Sequence, residues 1–243
     1  MILLLTGCIN PNGMSFTALN NQEERLSQYV KAIRFYIEET SYSVVFTENS
    51  GTNISSLFIE HIKSGRLECL TFLGNQNKER GKGYGECEII QYALENSRLI
   101  KHTHDGRIIK ITGRLIVKNI NSIIRFHSYF FSRKRVFCAI NSDLSFPDSR
   151  LIIAPTNFYH TFLLKKDDIN DIKGYYFEHA LLDTIKQTRK EFPFSPFLLM
   201  PTIEGISGST GKIYKEGPKS ISFFFKYLKF TISELYRFNK KYC

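Results

Sequence analysis

The chain of 243 residues contains no tryptophan, so its 14% aromatic content is all Phe and Tyr. It has no Cys-x-x-Cys pair, and its five cysteines (Cys8, Cys69, Cys87, Cys138, Cys243) are odd in number and scattered. That pattern argues against a zinc site and against a disulfide framework, and it fits a reducing compartment, the cytoplasm. No apolar run approaches the roughly 20 residues that cross a bilayer. The opening Met1-Ile-Leu-Leu-Leu-Thr-Gly-Cys8 carries a lipoprotein-like box at its end, yet no basic segment precedes it and its apolar run is too short for a secretion signal. A buried first strand is expected there instead. There is no internal repeat, low-complexity tract or evident linker, so one domain spanning 1–243 is expected.

What the chain has is a globular composition, 42% hydrophobic and 23% charged, with a formal net charge of +10. Such a charge suits nucleic acid, an anionic membrane surface or a phosphate-bearing ligand. Part of it sits at Arg133, Lys134 and Arg135, and part between Lys212 and Lys241. No RNA-recognition aromatic motif or zinc finger is present, so nucleic acid is not the expected partner.

Periodicity predicts alternating strands and helices in the first half. Strands are expected at 2–8, 42–46, 67–72 and 107–112. Helices are expected at 22–39, with Asn20 or Asn21 as cap, at 54–63 and at 86–96. Continuous apolar strands of this kind form parallel sheets covered by helices, which bind ligands beyond the strands' carboxyl ends. The loops at 9–15, 47–53, 74–85 and 112–114 belong to that edge. In the second half, 136–140 and 151–154 read as strands and 158–164 and 177–190 as helices. Residues 192–218 hold four of the seven prolines and read as an extended loop region. The tail, 220–241, reads as a basic aromatic helix, either lying on an anionic membrane or packed on the core.

Four segments could carry chemistry. Gly81-Lys-Gly-Tyr-Gly-Glu86 could admit a diphosphate to a helix start, or be a flexible surface loop. It is neither a Walker loop nor a dinucleotide fingerprint. Lys110-Ile-Thr-Gly-Arg114 could place a guanidinium on phosphate oxygens, or be a strand and its turn. Asp148-Ser-Arg150 could hold sugar hydroxyls, or form a structural ion pair. Glu178 at a helix start could serve as a general base, or only complement the helix dipole, and His179 could serve as that base or orient Glu178.

Together with Asn10-Pro-Asn-Gly13 and Glu48-Asn-Ser-Gly51, these segments resemble bacterial surface-polysaccharide glycosyltransferases with a GT-A-like fold and a KITGR-type motif. The resemblance covers roughly residues 1–185. It implies a Rossmann-type, mainly parallel α/β sheet flanked by helices, an irregular C-terminal acceptor region and a terminal basic helix. The nucleotide-sugar half would be 1–120, the acceptor half 121–218 and the basic helix 219–243. The GT-A fold generally carries an Asp-x-Asp motif after the strand where Lys110 to Arg114 stands, and here no Asp-x-Asp occurs. The resemblance therefore implies that cations replace a divalent metal on the diphosphate.

By the same resemblance, Asn10 and Glu48 would face the base and ribose. Lys82, Gly83 and Glu86 would lie near the diphosphate or donor sugar. Arg114 would contact phosphate, Lys110 or Arg114 would offset the leaving-group charge, and Thr112 would be donor-binding; Asp148 and Arg150 would meet the donor or acceptor sugar, and Glu178 would be the base of an inverting displacement. The partners implied are a nucleotide-sugar donor and a glycan or lipid-linked acceptor, with peripheral membrane contact through the tail. A nucleotidyltransferase of sugar activation is the alternative enzyme, although its Gly-x-Gly-x-Arg pattern is missing from the N-terminus.

Overall fold

The computed structural model describes residues 1–12, 19–103, 106–208, 210–215 and 221–242. Gly13, Cys243 and the Gly217-Pro218 part of the expected loop region lie outside the described residues. The chain begins β1 (Ile2–Gly7), α1 (Gln22–Glu39), β2 (Ser43–Glu48), α2 (Ile59–Lys63), β3 (Leu67–Thr71), α3 (Lys82–Asn96), α4 (Arg98–Lys101) and β4 (Arg107–Thr112). It continues β5 (Ile116–Val117), α5 (Ile120–Phe130), β6 (Val136–Phe137), β7 (Leu151–Pro155), α6 (Thr156–Leu163) and α7 (Phe177–Thr188). It ends β8 (Phe194–Ser195), β9 (Ile203–Ile206), β10 (Ile213–Lys215) and α8 (Ile221–Tyr242).

Seven strands form one sheet in the order β3-β2-β1-β4-β7-β6-β8. The first four are mutually parallel. β7 runs antiparallel between β4 and β6, and β8 is again parallel to β6. The sheet is thus mainly parallel and flanked by helices, as expected. β1 is buried along its whole length between β2 and β4, which is the burial that its unbroken apolar run demands.

Alternation along the strands feeds two cores. Leu3 and Leu5 of β1 and Ile109 and Ile111 of β4 join α1 and α5 on one face. Leu4 and Ile108 join α3, α6 and α7 on the other. Lys110 shares that second face, because it lies two residues from Ile108. α1 starts and stops where its periodicity says, and Asn21 caps it by accepting from the Glu24 N–H at 2.9 Å.

Several boundaries differ from the sequence expectation, each for a tertiary reason. β2 continues through Thr47 and Glu48, because loop N–H groups satisfy the Glu48 carboxylate inside the sheet. α3 begins at Lys82 rather than Glu86, so the Lys-Gly-Tyr-Gly stretch is helical. α5 was not expected, although Ile120, Ile123, Ile124 and His127 have helical spacing and are its buried face. Residues 192–218 are not simply a loop: they supply β8 and the β9–β10 hairpin, and β9 pairs with β5 in a second sheet ordered β10-β9-β5. Those strands are short and Gly- and Pro-interrupted, and their partners lie far away in sequence.

Tyr36 ties the two sheets together. Its hydroxyl donates to the Leu115 carbonyl and accepts from the Val117 N–H, both at 2.9 Å. The ring is fully buried, and burial pushes the phenol's pKa well above its ordinary value. Tyr36→Phe leaves both backbone groups buried without that partner. The expected loss is about 1–3 kcal/mol of stability, seen in urea denaturation; an unchanged midpoint and slope would contradict the role.

Candidate active site

A cavity of about 470 Å³ opens at the carboxyl ends of β1, β2 and β4. The end of β1 and its loop contribute Thr6, Gly7, Cys8 and Pro11, and the end of β2 contributes Asn49. The first turns of α3 contribute Lys82, Gly83, Gly85 and Glu86; β4 and its turn contribute Thr112 and Arg114. Ser149, Arg150, Asp171 and Glu178 come from the second half of the chain, and Ser207, Gly208 and Tyr214 from the hairpin region.

Beneath this cavity lies a buried ion pair. Lys110 is fully buried, and its ammonium pairs with Glu86, whose side chain is 23% exposed toward the cavity. The same ammonium donates to the Ser149 carbonyl at 2.7 Å and sits 5.4 Å from the centre of the Phe177 ring. Thr6 Oγ1 donates to Glu86 Oε1 at 3.1 Å. A charge on a central strand is tolerable only with this degree of pairing.

Ser149 extends the network. Its hydroxyl donates to Glu178 Oε1 at 2.6 Å. Burial raises the Glu178 pKa above the usual carboxylate value and Glu86 adds to the rise, while the Ser149 hydroxyl, the N–H of residue 178 and Lys110 oppose it. Glu178 opens α7, whose N-terminus is closed by reciprocal contacts of Tyr176 and His179. His179 Nδ1 accepts the Tyr176 N–H at 3.1 Å, so His179 caps the helix and does not orient Glu178.

The start of α3 differs from the expected phosphate cradle. Asp171 Oδ2 accepts the Gly83 N–H at 3.1 Å, and the Lys82 N–H also bonds this carboxylate. The anion on that helix start is therefore the protein's own. Gly81 has φ 91°, and a Cβ there would stand 2.5 Å from Asp171 Oδ2; a Cβ at Gly83 would stand 2.8 Å from Asp171 Oδ1. Glycine at 81 and 83 thus admits Asp171. Lys82 lines the cavity, and burial lowers its pKa, with Arg114 adding to the fall and Asp171, Glu86 and Glu178 opposing it.

Arg114 is held at the cavity wall on three sides. Its Nη1 donates to Gln28 Oε1 and to the Ile206 carbonyl, each at 3.0 Å. Its guanidinium lies 6.0 Å from the Tyr29 ring centre. Gly208 packs so close that a Cβ would collide with Nη2. Arg114 Nε is buried with no partner among the described residues.

Of the residues singled out in the sequence, Lys82, Gly83, Glu86, Thr112, Arg114, Arg150 and Glu178 line one cavity. The other four do not. Lys110 lies under the floor, paired inward. Glu48 is fully buried and accepts from the N–H groups of Ile9, Ser50 and Thr52, so it organises loops instead of facing a ligand. Asn10 is exposed and accepts the Asn12 N–H at its own side chain. Asp148 is clamped by Arg150 Nε and Nη2, the structural ion pair weighed above. Asp171, Arg25 and Tyr29 were not anticipated. Arg25 and Tyr29 hold the Cys8 backbone from α1, and only their shared helical face could have hinted at it.

Glu86→Ala leaves the Lys110 ammonium buried with the Ser149 carbonyl alone. It is expected to cost about 3–5 kcal/mol in chemical denaturation, with most of the loss recovered by adding Lys110→Met. A single variant as stable as the parent would show that the pair is not needed.

Among the described residues no group of three or more His, Cys, Asp and Glu side chains is placed to hold a metal ion. Nor is any described helix long and apolar enough to cross a membrane. No family model and no curated protein matches this sequence. Among solved structures, the chain is similar to galactosyltransferase LgtC in complex with donor and acceptor sugar analogues (TM-score 0.50, 6% identity, covering 82% of this chain and 74% of that one). It also matches a cytidylyltransferase from Leptospira borgpetersenii (0.43, 14%, covering 99% and 94%) and mouse xyloside xylosyltransferase 1 (0.39, 11%, covering 79% and 82%). At 6% identity the likeness to the galactosyltransferase is one of fold: this chain has a GT-A-like α/β fold.

Proposed function

We propose that this protein is a glycosyltransferase that moves a sugar from a nucleotide-sugar donor to a glycan or lipid-linked glycan acceptor, in bacterial surface-polysaccharide synthesis. The observation that carries the proposal is the placement of a half-buried carboxylate, Glu178, on the wall of the same cavity that the Arg114 guanidinium lines. Inverting sugar transfer from a diphosphate uses two such groups. One takes a proton from the incoming hydroxyl, and the other offsets charge on the departing oxygen.

In this reading Glu178 accepts the acceptor hydroxyl's proton as the oxygen attacks the anomeric carbon. The bond from that carbon to the diphosphate oxygen breaks, and the electron pair leaves with the diphosphate. Arg114, prevented from swinging by Gln28, Ile206 and Gly208, meets the diphosphate, and Lys82 lies near the donor sugar. This charge is offset by cationic side chains. Arg150, paired with Asp148 and 4.6 Å from the Tyr214 ring centre, offers a guanidinium and an aromatic face for the acceptor.

Peripheral membrane contact would suit a lipid-linked acceptor. α8 buries Phe238 against Phe194, which answers its packing side. Its outward side keeps Phe225, Phe230, Ile232 and Tyr236 exposed among Lys226, Lys229 and Lys240. Apolar rings among lysines bind anionic lipid surfaces.

Two outcomes are expected. First, one of the uridine, guanosine, cytidine or thymidine diphosphates, at millimolar concentration, raises the melting temperature of the wild-type protein, and Arg114→Ala abolishes the shift. No shift with any of them or with their sugars would sink the proposal. Second, Glu178→Gln lowers turnover by about 10²–10⁴-fold while leaving donor binding intact. Because the Glu178 pKa is raised in the folded protein, the wild-type rate should fall with decreasing pH at a higher pH than an ordinary carboxylate of 4.5 would give. That limb should vanish in Glu178→Gln.

A further inference from the structure

We infer that Asp171 recognises the transferred sugar, accepting a hydrogen bond from one of its hydroxyls; the inference rests on the nucleotide-sugar reading above. Asp171 is only 7% exposed, yet it lines the cavity beside Lys82, Gly83 and Glu178. Its two oxygens have different fates. Oδ2 receives the Gly83 N–H at the start of α3. Oδ1 is buried with no partner among the described residues.

A buried carboxylate oxygen without a donor is costly unless something supplies one. What could supply it here is limited by charge. Glu86 and Glu178 lie close enough to Asp171 or to Lys82 to shift their pKa values, so the Asp171 wall is rich in carboxylates and disfavours phosphate. A hydroxyl is a neutral donor and meets no such repulsion. Arg114, near enough to Lys82 to help lower its pKa, is held at the adjoining wall by Gln28 and Ile206, where a diphosphate is favoured. A nucleotide-sugar spanning the cavity would therefore place its phosphates at Arg114 and a sugar hydroxyl at Asp171. The segment is also anchored rigidly: Asn170 and Tyr175 exchange backbone hydrogen bonds across it, and Arg80 reaches the Ile169 carbonyl at 3.2 Å. Asp171 thus has the fixed geometry that discrimination between sugars requires.

The test uses wild type, Asp171→Asn and Asp171→Ser. Asparagine keeps one oxygen for the Gly83 N–H while an NH2 group replaces the other, and serine removes the second oxygen altogether. The probes are the uridine, guanosine, cytidine and thymidine diphosphates, their glucose, galactose and N-acetylglucosamine conjugates, and singly deoxygenated forms of the conjugate that binds best. Titration calorimetry should show the nucleoside diphosphate binding all three proteins alike. The preferred conjugate should bind both variants roughly 10- to 100-fold more weakly than wild type. One deoxygenated conjugate should show a like loss on wild type and no further loss on the variants. Equal weakening of the diphosphate and its conjugate would make Asp171 a structural cap only, and unchanged conjugate affinity would exclude contact; either overturns the inference. Should neither variant fold, wild type decides alone, since affinity unmoved by every single deoxygenation also overturns it. Failure of the broader reading looks different: wild type would then bind none of the diphosphates, and the inference would fall with it.

Discussion

The organisation of the cavity depends on one buried charge. Lys110 sits on the central strand β4 with its ammonium closed off from solvent, which is tenable only because Glu86 and the Ser149 carbonyl meet it there. Those partners come from α3 and from the turn before β7. The pair therefore sets where the first turn of α3 stands against the sheet and where residue 149 lies. Through the Ser149 hydroxyl it also sets Glu178 on α7. Three elements distant in sequence are thus registered on a single ammonium. The Phe177 ring over it completes the arrangement by keeping water away.

A second constraint acts at the start of α3. Helix N-termini attract anions because their first N–H groups lack partners inside the helix. In this protein a carboxylate from the 166–176 segment takes that position, and glycine at 81 and 83 leaves room for it. The consequence reaches beyond helix stability. The lysine between those glycines lies among three carboxylates, and the guanidinium suited to phosphate stands beside it, on the turn after β4. Charge is in this way divided across one cavity of about 470 Å³.

The second half of the chain closes the site rather than standing apart from it. β7 pairs with β4 directly, so Ser149 and Arg150 arrive next to Thr112. The hairpin of β9 and β10 pairs with β5 and delivers the Ile206 carbonyl and Gly208 to Arg114. Tyr36 on α1 fastens β5 to the first layer, which holds the Arg114 turn between the two sheets.

Much of the fold was legible in the residues themselves. The unbroken apolar strand Ile2–Gly7, the isoleucine-rich strand Arg107–Thr112 and the 3.6-residue spacing of Gln22–Glu39 depend on local burial patterns, and they stand where periodicity puts them. The motif types also led to one cavity, since β–α loops of a parallel sheet share an edge. What could not be read was how charges pair. Glu48 and Lys110 look like ligand-facing residues, but they meet partners up to 39 positions away and turn inward. Asp171 carries no signal at all, because its meaning comes from a helix start 88 residues earlier. The sequence by itself determined the layers of the sheet and the edge where the cavity opens, because hydrophobic periodicity is a local property. Only the tertiary structure decided which charges face the cavity, because the pairing of a buried charge depends on what the rest of the chain brings beside it.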